Sequence, residues 1–194
     1  MIKTINILFF FFITTALFSQ DTIKRNKYLI TIQNCIATIR INNKEIPYNG
    51  YAYTNYLFGK RKMLIPYENG IVNGLLTVYY RNGKVKLQTE ELYGDENGKT
   101  IYYYKNGKIL SVQYKKNGLQ NGTITYYYPT GEKEEEVEYV DGLKTGKIIW
   151  YFKDGKISEE GEMLNGKENG IFKIYDGDTI TETLIYKNGK LQIR

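Results

Sequence analysis

Six glycines recur at a fixed step of 24 residues: Gly50, Gly74, Gly98, Gly122, Gly146 and Gly170. A second column, Gly59, Gly83, Gly107, Gly131 and Gly155, keeps the same step, and so does a third, Gly70, Gly94, Gly118, Gly142 and Gly166. Three columns in register mean that one supersecondary unit is repeated, and a period between about 20 and 50 residues marks a stacked array. Counting from the leading glycine, position two is Leu76, Thr100, Ile124, Ile148 and Phe172, and position four is Val78, Tyr102, Tyr126, Trp150 and Ile174. Position six is Tyr80, Tyr104, Tyr128 and Phe152. Apolar residues at every second position are strand periodicity. Each run then meets Asn82-Gly83, Asn106-Gly107, Thr130-Gly131 or Asp154-Gly155. Asn-Gly and Asp-Gly suit a two-residue type I′ turn, because both residues tolerate positive φ. Each unit is therefore expected to be a hairpin with Arg81 opposite Lys84, Tyr80 opposite Val85 and Val78 opposite Leu87. The same register sets Tyr104 against Ile109, Phe152 against Ile157 and, breaking the apolar pattern, Tyr128 against Lys133.

The fold class that follows is all-β: an elongated antiparallel sheet of about five to six stacked β-hairpins over residues 48–194. Paired signals such as Asn117-Gly118 with Asn121-Gly122 let the chain reverse between hairpins, and the last unit is one residue short around Asp176-Gly177-Asp178. Tyrosine occurs 20 times, a strand-favouring bias. Residues 20–47 fall outside the repeat and are expected to form an N-terminal β cap that pairs the first sheet edge, since an open edge invites aggregation. Residues 1–19 read as a signal peptide: Lys3 opens it, residues 5–18 are almost wholly apolar, and Ser19 precedes a polar start. The apolar run is shorter than the roughly 20 residues a membrane-spanning helix needs. Export to the periplasm, cell envelope or extracellular space is expected. Cys35 is the sole cysteine, so no internal disulfide exists; its β-rich surroundings read as a buried, small apolar position.

Catalysis is tested by subtraction. The chain has no histidine, which removes the common triads, imidazole acid–base chemistry and the usual zinc sites. The glycines space turns and open no phosphate-binding helix. Strand alternation through Glu132–Glu138 puts Glu134, Glu136 and Glu138 on one face, either a paired-carboxylate site or a solvated acidic strand. Asp176-Gly177-Asp178 reads as a calcium loop or, more simply, a shortened turn. The expectation is a chain that is no enzyme and has no cofactor, no metal and no nucleic-acid partner.

Position five is tyrosine in five successive units: Tyr79, Tyr103, Tyr127, Tyr151 and Tyr175. Its parity places it on the face opposite Val78 and Tyr80, with Lys86, Leu110, Glu134 and Ser158 as cross-strand neighbours. Tyrosine offers an apolar body with a polar tip, so this column is the candidate binding ladder for a protein surface or a glycan. A purely structural ladder, each ring stacked on the next, fits the same pattern. Lysines after the turn glycines (Lys84, Lys108, Lys156, Lys190), together with Lys60, Arg61 and Lys62, form a basic rim suited either to phospholipid heads or to solubility.

The multiplied unit N-G-x-x-N-G-x-x-x-x-Y-Y-x-N-G-K resembles the MORN-type repeat in its short bacterial variant, over about residues 48–194. Chains of this kind are often exported and are commonly labelled YwqK-type antitoxins. The resemblance implies a β array used for binding proteins or membranes, and the label implies a toxin partner. The resulting expectation is a non-catalytic exported scaffold that binds a protein, in an antitoxin- or immunity-like role, with a phospholipid- or glycan-binding envelope module as the alternative.

Overall fold

In the computed structural model, residues 5–8, 29–33, 35–57 and 59–193 are described. Every regular element among them is a β-strand. The chain divides into two units, Met1–Glu96 and Asn97–Arg194, with the boundary inside strand Asp95–Tyr103. In the first unit, Ile5–Leu8, Leu29–Gln33, Ile36–Ile41 and Lys44–Pro47 form one four-stranded antiparallel sheet. Apart from Ile5–Leu8, the expected signal peptide lies outside the described residues. The repeats of this unit form a second sheet from Gly50–Asn55, Arg61–Glu68, Gly74–Tyr79 and Val85–Leu92. In the second unit the antiparallel meander continues through Ile109–Lys116, Gly122–Tyr127, Lys133–Val140, Leu143–Tyr151, Ile157–Leu164, Gly170–Asp176, Thr179–Lys187 and Lys190–Ile193. An antiparallel sheet of hairpins is thus the architecture, as the glycine period implies.

The turn chemistry differs from expectation. At Asn82-Gly83 the Gly83 N–H donates to the Tyr80 carbonyl at 2.9 Å and the Tyr80 N–H donates to the Lys84 carbonyl at 2.8 Å. Only the glycine has positive φ, at 90°. This is a three-residue loop, a type I turn closed by a left-handed glycine, and not a type I′ turn. The same pair of bonds recurs at Tyr56, Tyr104, Tyr128 and Phe152. Asparagine or aspartate suits the position before the glycine because its side chain accepts the N–H two residues on: Asn82 from Lys84 at 3.0 Å, Asn106 from Lys108 at 2.9 Å, Asp154 from Lys156 at 3.0 Å. The true type I′ positions are the reversals. Asn69-Gly70, Tyr93-Gly94, Asn117-Gly118, Asp141-Gly142, Asn165-Gly166 and Asn188-Gly189 carry positive φ at both residues.

The longer loop moves the register by one residue and a bulge restores it. Tyr79 pairs Val85 while Val78 still pairs Leu87. The expected pairs Tyr80–Val85, Tyr104–Ile109, Phe152–Ile157 and Tyr128–Lys133 are therefore corrected to Tyr79–Val85, Tyr103–Ile109, Tyr151–Ile157 and Tyr127–Lys133. Lys86, Leu110, Glu134 and Ser158 become the extra residues of the bulges. Asp176-Gly177-Asp178 is the shortened turn: Asp176 pairs Thr179 across two residues, with Gly177 at φ 62°.

Two kinds of hydrogen bond tie one hairpin to the next and recur with the period. At one strand end the reversal glycine donates its N–H to the preceding unit: Gly94 to Val72, Gly142 to Gln120 and Gly166 to Lys144, each at 2.8 Å. At the other end the position-six tyrosine hydroxyl donates to a carbonyl 23 residues on: Tyr56 to Tyr79 at 2.7 Å, Tyr104 to Tyr127 at 2.7 Å, Tyr128 to Tyr151 at 2.8 Å. An insertion within a unit that carries these bonds would break them.

The cap also differs from expectation. It adds no strand to the repeat sheet but keeps its own. It is held instead by three backbone bonds, Ala37 N–H to Gly70, Gly70 N–H to Tyr48 and Tyr48 N–H to Ala37, at 2.7–2.9 Å. Ala37, Ile39, Tyr48, Ala52 and Tyr67 form the core there, with the Tyr48 and Tyr67 rings edge to face at 5.9 Å. Cys35 is exposed, at φ 64° in the turn between two cap strands, and not buried as its apolar neighbours suggested. In the second unit Ile124, Val137, Ile148 and Phe172 are buried, covered by Tyr126, Tyr139, Trp150, Met163, Leu184 and Tyr186. These are position-two and position-four residues and their cross-strand partners, with Tyr139, Met163 and Tyr186 opposite the leading glycines on the same face, so the apolar face is the one the alternation indicates.

Candidate functional site

The second unit presents two sheet faces whose polar groups are in different states. On the face carrying the position-five tyrosines, the groups satisfy one another. Tyr151 donates its hydroxyl to Glu136 Oε2 at 2.6 Å, and Tyr175 donates to Glu160 Oε1 at 2.7 Å. Lys133 pairs Glu136 at 2.7 Å, and Lys147 and Lys173 pair Glu160 at 3.2 and 3.5 Å. Burial and the adjacent Glu136 carboxylate push the Tyr151 phenol up to about 12. For Glu136 burial works against ionisation, yet the bonds from Lys133 and Tyr151 win and its carboxyl lies below the usual range. The Tyr175 hydroxyl, followed by the two lysines, does the same for Glu160. A shallow concavity of about 480 Å³ on this face is lined by Lys147, Glu160, Glu162, Ile171 and Lys173 together with glycine backbone.

The five tyrosines of the column are all half-buried. The structure sets Tyr103, Tyr127, Tyr151 and Tyr175 on one face of the second unit and Tyr79 at the equivalent place in the first. The clamps from one unit to the next come from the position-six tyrosines, whose hydroxyls donate to the column's backbone carbonyls. Glu134, Glu136 and Glu138 do not stand together as strand alternation suggests. Glu134 occupies the bulge and acts electrostatically on Tyr104, Glu136 lies among Lys133 and Tyr151, and Glu138 accepts the Lys147 backbone N–H at 2.9 Å. Among the described residues no group of histidine, cysteine, aspartate or glutamate is arranged to hold a metal ion.

The opposite face carries a feature that the sequence reading missed. The strand register lines up one transverse row: Tyr102, Ser111, Tyr126, Glu135, Trp150, Glu159, Ile174, Glu182. From Tyr126 onward an apolar or aromatic side chain alternates with a carboxylate. Apart from buried Ser111, each of these residues is half-buried, above the floor formed by Ile124, Val137, Ile148 and Phe172. Burial holds the carboxyls of Glu135 and Glu159 above the usual range; nearby Glu168 adds to the effect at Glu159, and Lys144, 3.9 Å from Glu135, only partly opposes it there. Glu159 has no hydrogen bond and no cation partner among the described residues, and neither the Trp150 indole N–H nor the Tyr126 hydroxyl has a protein acceptor there. The signal was present in the sequence: Glu135 and Glu159 stand one period apart, and Glu182 follows after the shortened unit.

A repeated antiparallel hairpin unit locked by glycine and tyrosine defines the class of protein: a β-repeat scaffold. Four consecutive segments, residues 72–90, 96–117, 120–141 and 144–165, match the family model for the MORN repeat variant, so this stretch consists of MORN repeats. Among curated proteins none matches the chain.

Proposed function

We propose that the chain is a non-catalytic scaffold that binds a protein partner through the aromatic face of its second unit. The observation that carries this reading is the contrast between the two faces. Tyr151 and Tyr175 are engaged by their own sheet, whereas Tyr126, Trp150 and Glu159 offer hydrogen-bonding and ring surface above a buried apolar floor. Half-exposed aromatics over a packed floor are the material of interface hot spots. An antitoxin- or immunity-like role is the form of this reading in which the partner is a toxin.

The tyrosine column Tyr79, Tyr103, Tyr127, Tyr151 and Tyr175 is the competing contact surface. Its hydroxyl bonds to Glu136 and Glu160 favour a structural role. A phospholipid surface is the other reading, and it would use the basic rim of Lys60, Arg61, Lys62, Lys84, Lys108, Lys156 and Lys190 or the lysines of the tyrosine column's face. Of the latter, Lys133, Lys147 and Lys173 are each already paired with a glutamate. A photo-crosslinking aromatic residue placed at Trp150, with a second variant carrying it at Tyr151 on the other face, tests the assignment in native extract of the source cells. The expected result is a protein adduct from position 150 that excess unlabelled protein suppresses, with none from position 151. An adduct from 151 alone moves the site to the tyrosine column. Adducts from neither position, with salt-sensitive sedimentation on anionic phospholipid vesicles, overturn the protein-binding reading.

A further inference from the structure

We propose that the reversal margin of the second unit, centred on Val140, Leu143 and Leu164, receives an amphipathic helix of a partner protein that is apolar along its middle and acidic at both ends. This contact goes beyond the aromatic-face reading and lies on the opposite face of the same sheet.

Each type I′ reversal of the second unit is flanked by two directly opposed side chains: Lys116 and Leu119, Val140 and Leu143, Leu164 and Lys167, Lys187 and Lys190. Strand alternation puts all of them on the face of the tyrosine column, and all of them are exposed. Leu119, Val140 and Leu143 each stand 51% open, and Leu164 44%. The four adjoin one another. A Cβ at Gly142 would lie 3.7 Å from Leu119 Cδ2, and the Gly142 and Gly166 N–H groups tie their reversals to Gln120 and Lys144 of the preceding one. Single exposed leucines are ordinary, whereas a contiguous apolar patch marks a contact surface.

The scaffold does not require these apolar residues. Lys116 and Lys187 hold the position of Val140 and Leu164, and Lys167 and Lys190 hold the position of Leu119 and Leu143. The reversals beside all of them carry positive φ at both turn residues. The array therefore accepts lysine before or after the turn, and the apolar side chains of the middle reversals serve something other than the fold.

The flanking charge selects the partner. Lys116 closes one end of the patch, and Lys167, Lys187 and Lys190 close the other. None of the four has an ion-pair partner among the described residues. Of the nearby acids, Asp141 accepts from the Asn121 amide at 3.1 Å and Glu138 from the Lys147 backbone N–H at 2.9 Å, while Glu162 is exposed. A segment acidic at both ends complements this pattern, whereas a second copy of the margin would set lysine against lysine.

The spacing selects the segment's shape. Successive reversals lie two strand spacings apart, about 10 Å. An α-helix advances about 10.5 Å in seven residues and returns a side chain to nearly the same side. Apolar residues at i, i+7 and i+14 then fall over Leu119, over Val140 with Leu143, and over Leu164. Acidic residues before and after them meet Lys116 at one end and Lys187 with Lys190 at the other. An extended strand returns a side chain every second residue, at about 7 Å, and loses the match.

The test is titration of the full chain at low salt with a fluorescent helical peptide of about 20 residues, read by anisotropy. The peptide carries leucine at every seventh position, alanine between and glutamate at both ends; a control carries lysine in place of glutamate. The expected result is saturable binding of the glutamate peptide, at least about tenfold tighter than the control. The double substitution Leu143→Gln and Leu164→Gln should weaken it about tenfold or more, as should Lys167→Glu with Lys187→Glu. An unchanged urea midpoint establishes that the variants are folded. Leu143→Lys, which copies the equivalent reversals, is a further variant and should weaken binding although it adds a positive charge. Tyr151 lies at the far end of Leu143–Tyr151, about 27 Å away, and Trp150 on the other face, so crosslinking from those positions reads the aromatic-face proposal independently. Binding that the glutamine pair leaves unchanged, equal binding of the lysine control, or no binding of either peptide overturns the inference. Sedimentation with anionic phospholipid vesicles that the glutamine pair abolishes, without peptide binding, overturns it in favour of a membrane contact.

Discussion

Phe152 interrupts the series of tyrosine clamps, and restoring a hydroxyl there should stabilise the protein. Tyr56, Tyr104 and Tyr128 each donate to the carbonyl 23 residues on, at 2.7–2.8 Å. Phe152 holds the same loop geometry, with its N–H bonded to Lys156 and its carbonyl to Gly155, and Tyr175 lies 23 residues on. Only the oxygen is missing. The ring is 41% exposed, so an added hydroxyl needs no new cavity. A net hydrogen bond contributes about 0.5–1.5 kcal/mol. Phe152→Tyr should raise stability by about that amount, and Tyr128→Phe should lower it by a similar one. For a chain of this size that corresponds to a shift of about 2–4 °C in melting temperature per kcal/mol. Because arrays can unfold unit by unit, the comparison belongs in urea titrations, where an altered midpoint at constant slope reports stability alone. A lower midpoint for Tyr128→Phe with no rise for Phe152→Tyr would show that the position-152 loop does not offer the clamp geometry. No change in either would show that the clamps do not set stability.

Other expectations concern packing and ionisation. A Cβ at Gly161 would lie 2.4 Å from Phe172 Cδ1 and Cε1, so Gly161→Ala should cost about 3 kcal/mol, and Phe172→Leu in the same chain should recover part of it in a double-mutant cycle. Glu135 and Glu159 have raised native carboxyl pKa values, so the neutral acid is the form the fold favours; their contribution to stability is present below the unfolded value of 4.5 and is lost as pH rises through the native one. The Glu135→Gln, Glu159→Gln pair should therefore be more stable than the parent at neutral pH and equal to it in acid, measured by urea midpoint against pH. Tyr151 shows the same direction at the alkaline end: its contribution is present below 10.0 and lost as pH rises through about 12. Phenolate absorbance should reveal a late-titrating tyrosine that Tyr151→Phe removes and that Glu136→Gln shifts towards the ordinary range.

The period, the all-β class and the buried face were legible because each depends on one physical rule applied many times. Alternation fixes which side Ile124, Ile148 and Phe172 occupy, and a hairpin cannot change that without turning every side chain over. Asn-Gly is different, because two loops accept it. A two-residue turn wants positive φ at both positions; a three-residue loop wants an Asx acceptor and one left-handed glycine. Asn82-Gly83 and Asn69-Gly70 read alike as dipeptides, yet the first is the longer loop and the second the type I′ turn. The choice is made by the neighbouring unit: Tyr56 reaches the Tyr79 carbonyl beside one, and the Gly70 N–H reaches the Tyr48 carbonyl beside the other.

The candidate site was half legible for the same reason. The position-five tyrosines stand out as an unbroken column, but uniformity in an array is what a lock between units demands, and the bonds of Tyr151 to Glu136 and Tyr175 to Glu160 fit that role. Binding specificity has to come from positions that vary between units while the scaffold stays constant. The column one strand away does vary: Met63, Leu87, Ser111, Glu135, Glu159, Glu182. Its acidic members all fall in the second unit, where Glu135 and Glu159 flank Trp150, the sole tryptophan, and Glu182 pairs Ile174. A single charge of this kind could be incidental. Two in one transverse row flank Trp150, and burial disfavours the ionised form of each, a standing cost to the fold. A structural array does not need that cost, whereas a surface that offers these groups to a partner's hydrogen-bond donors recovers it on binding.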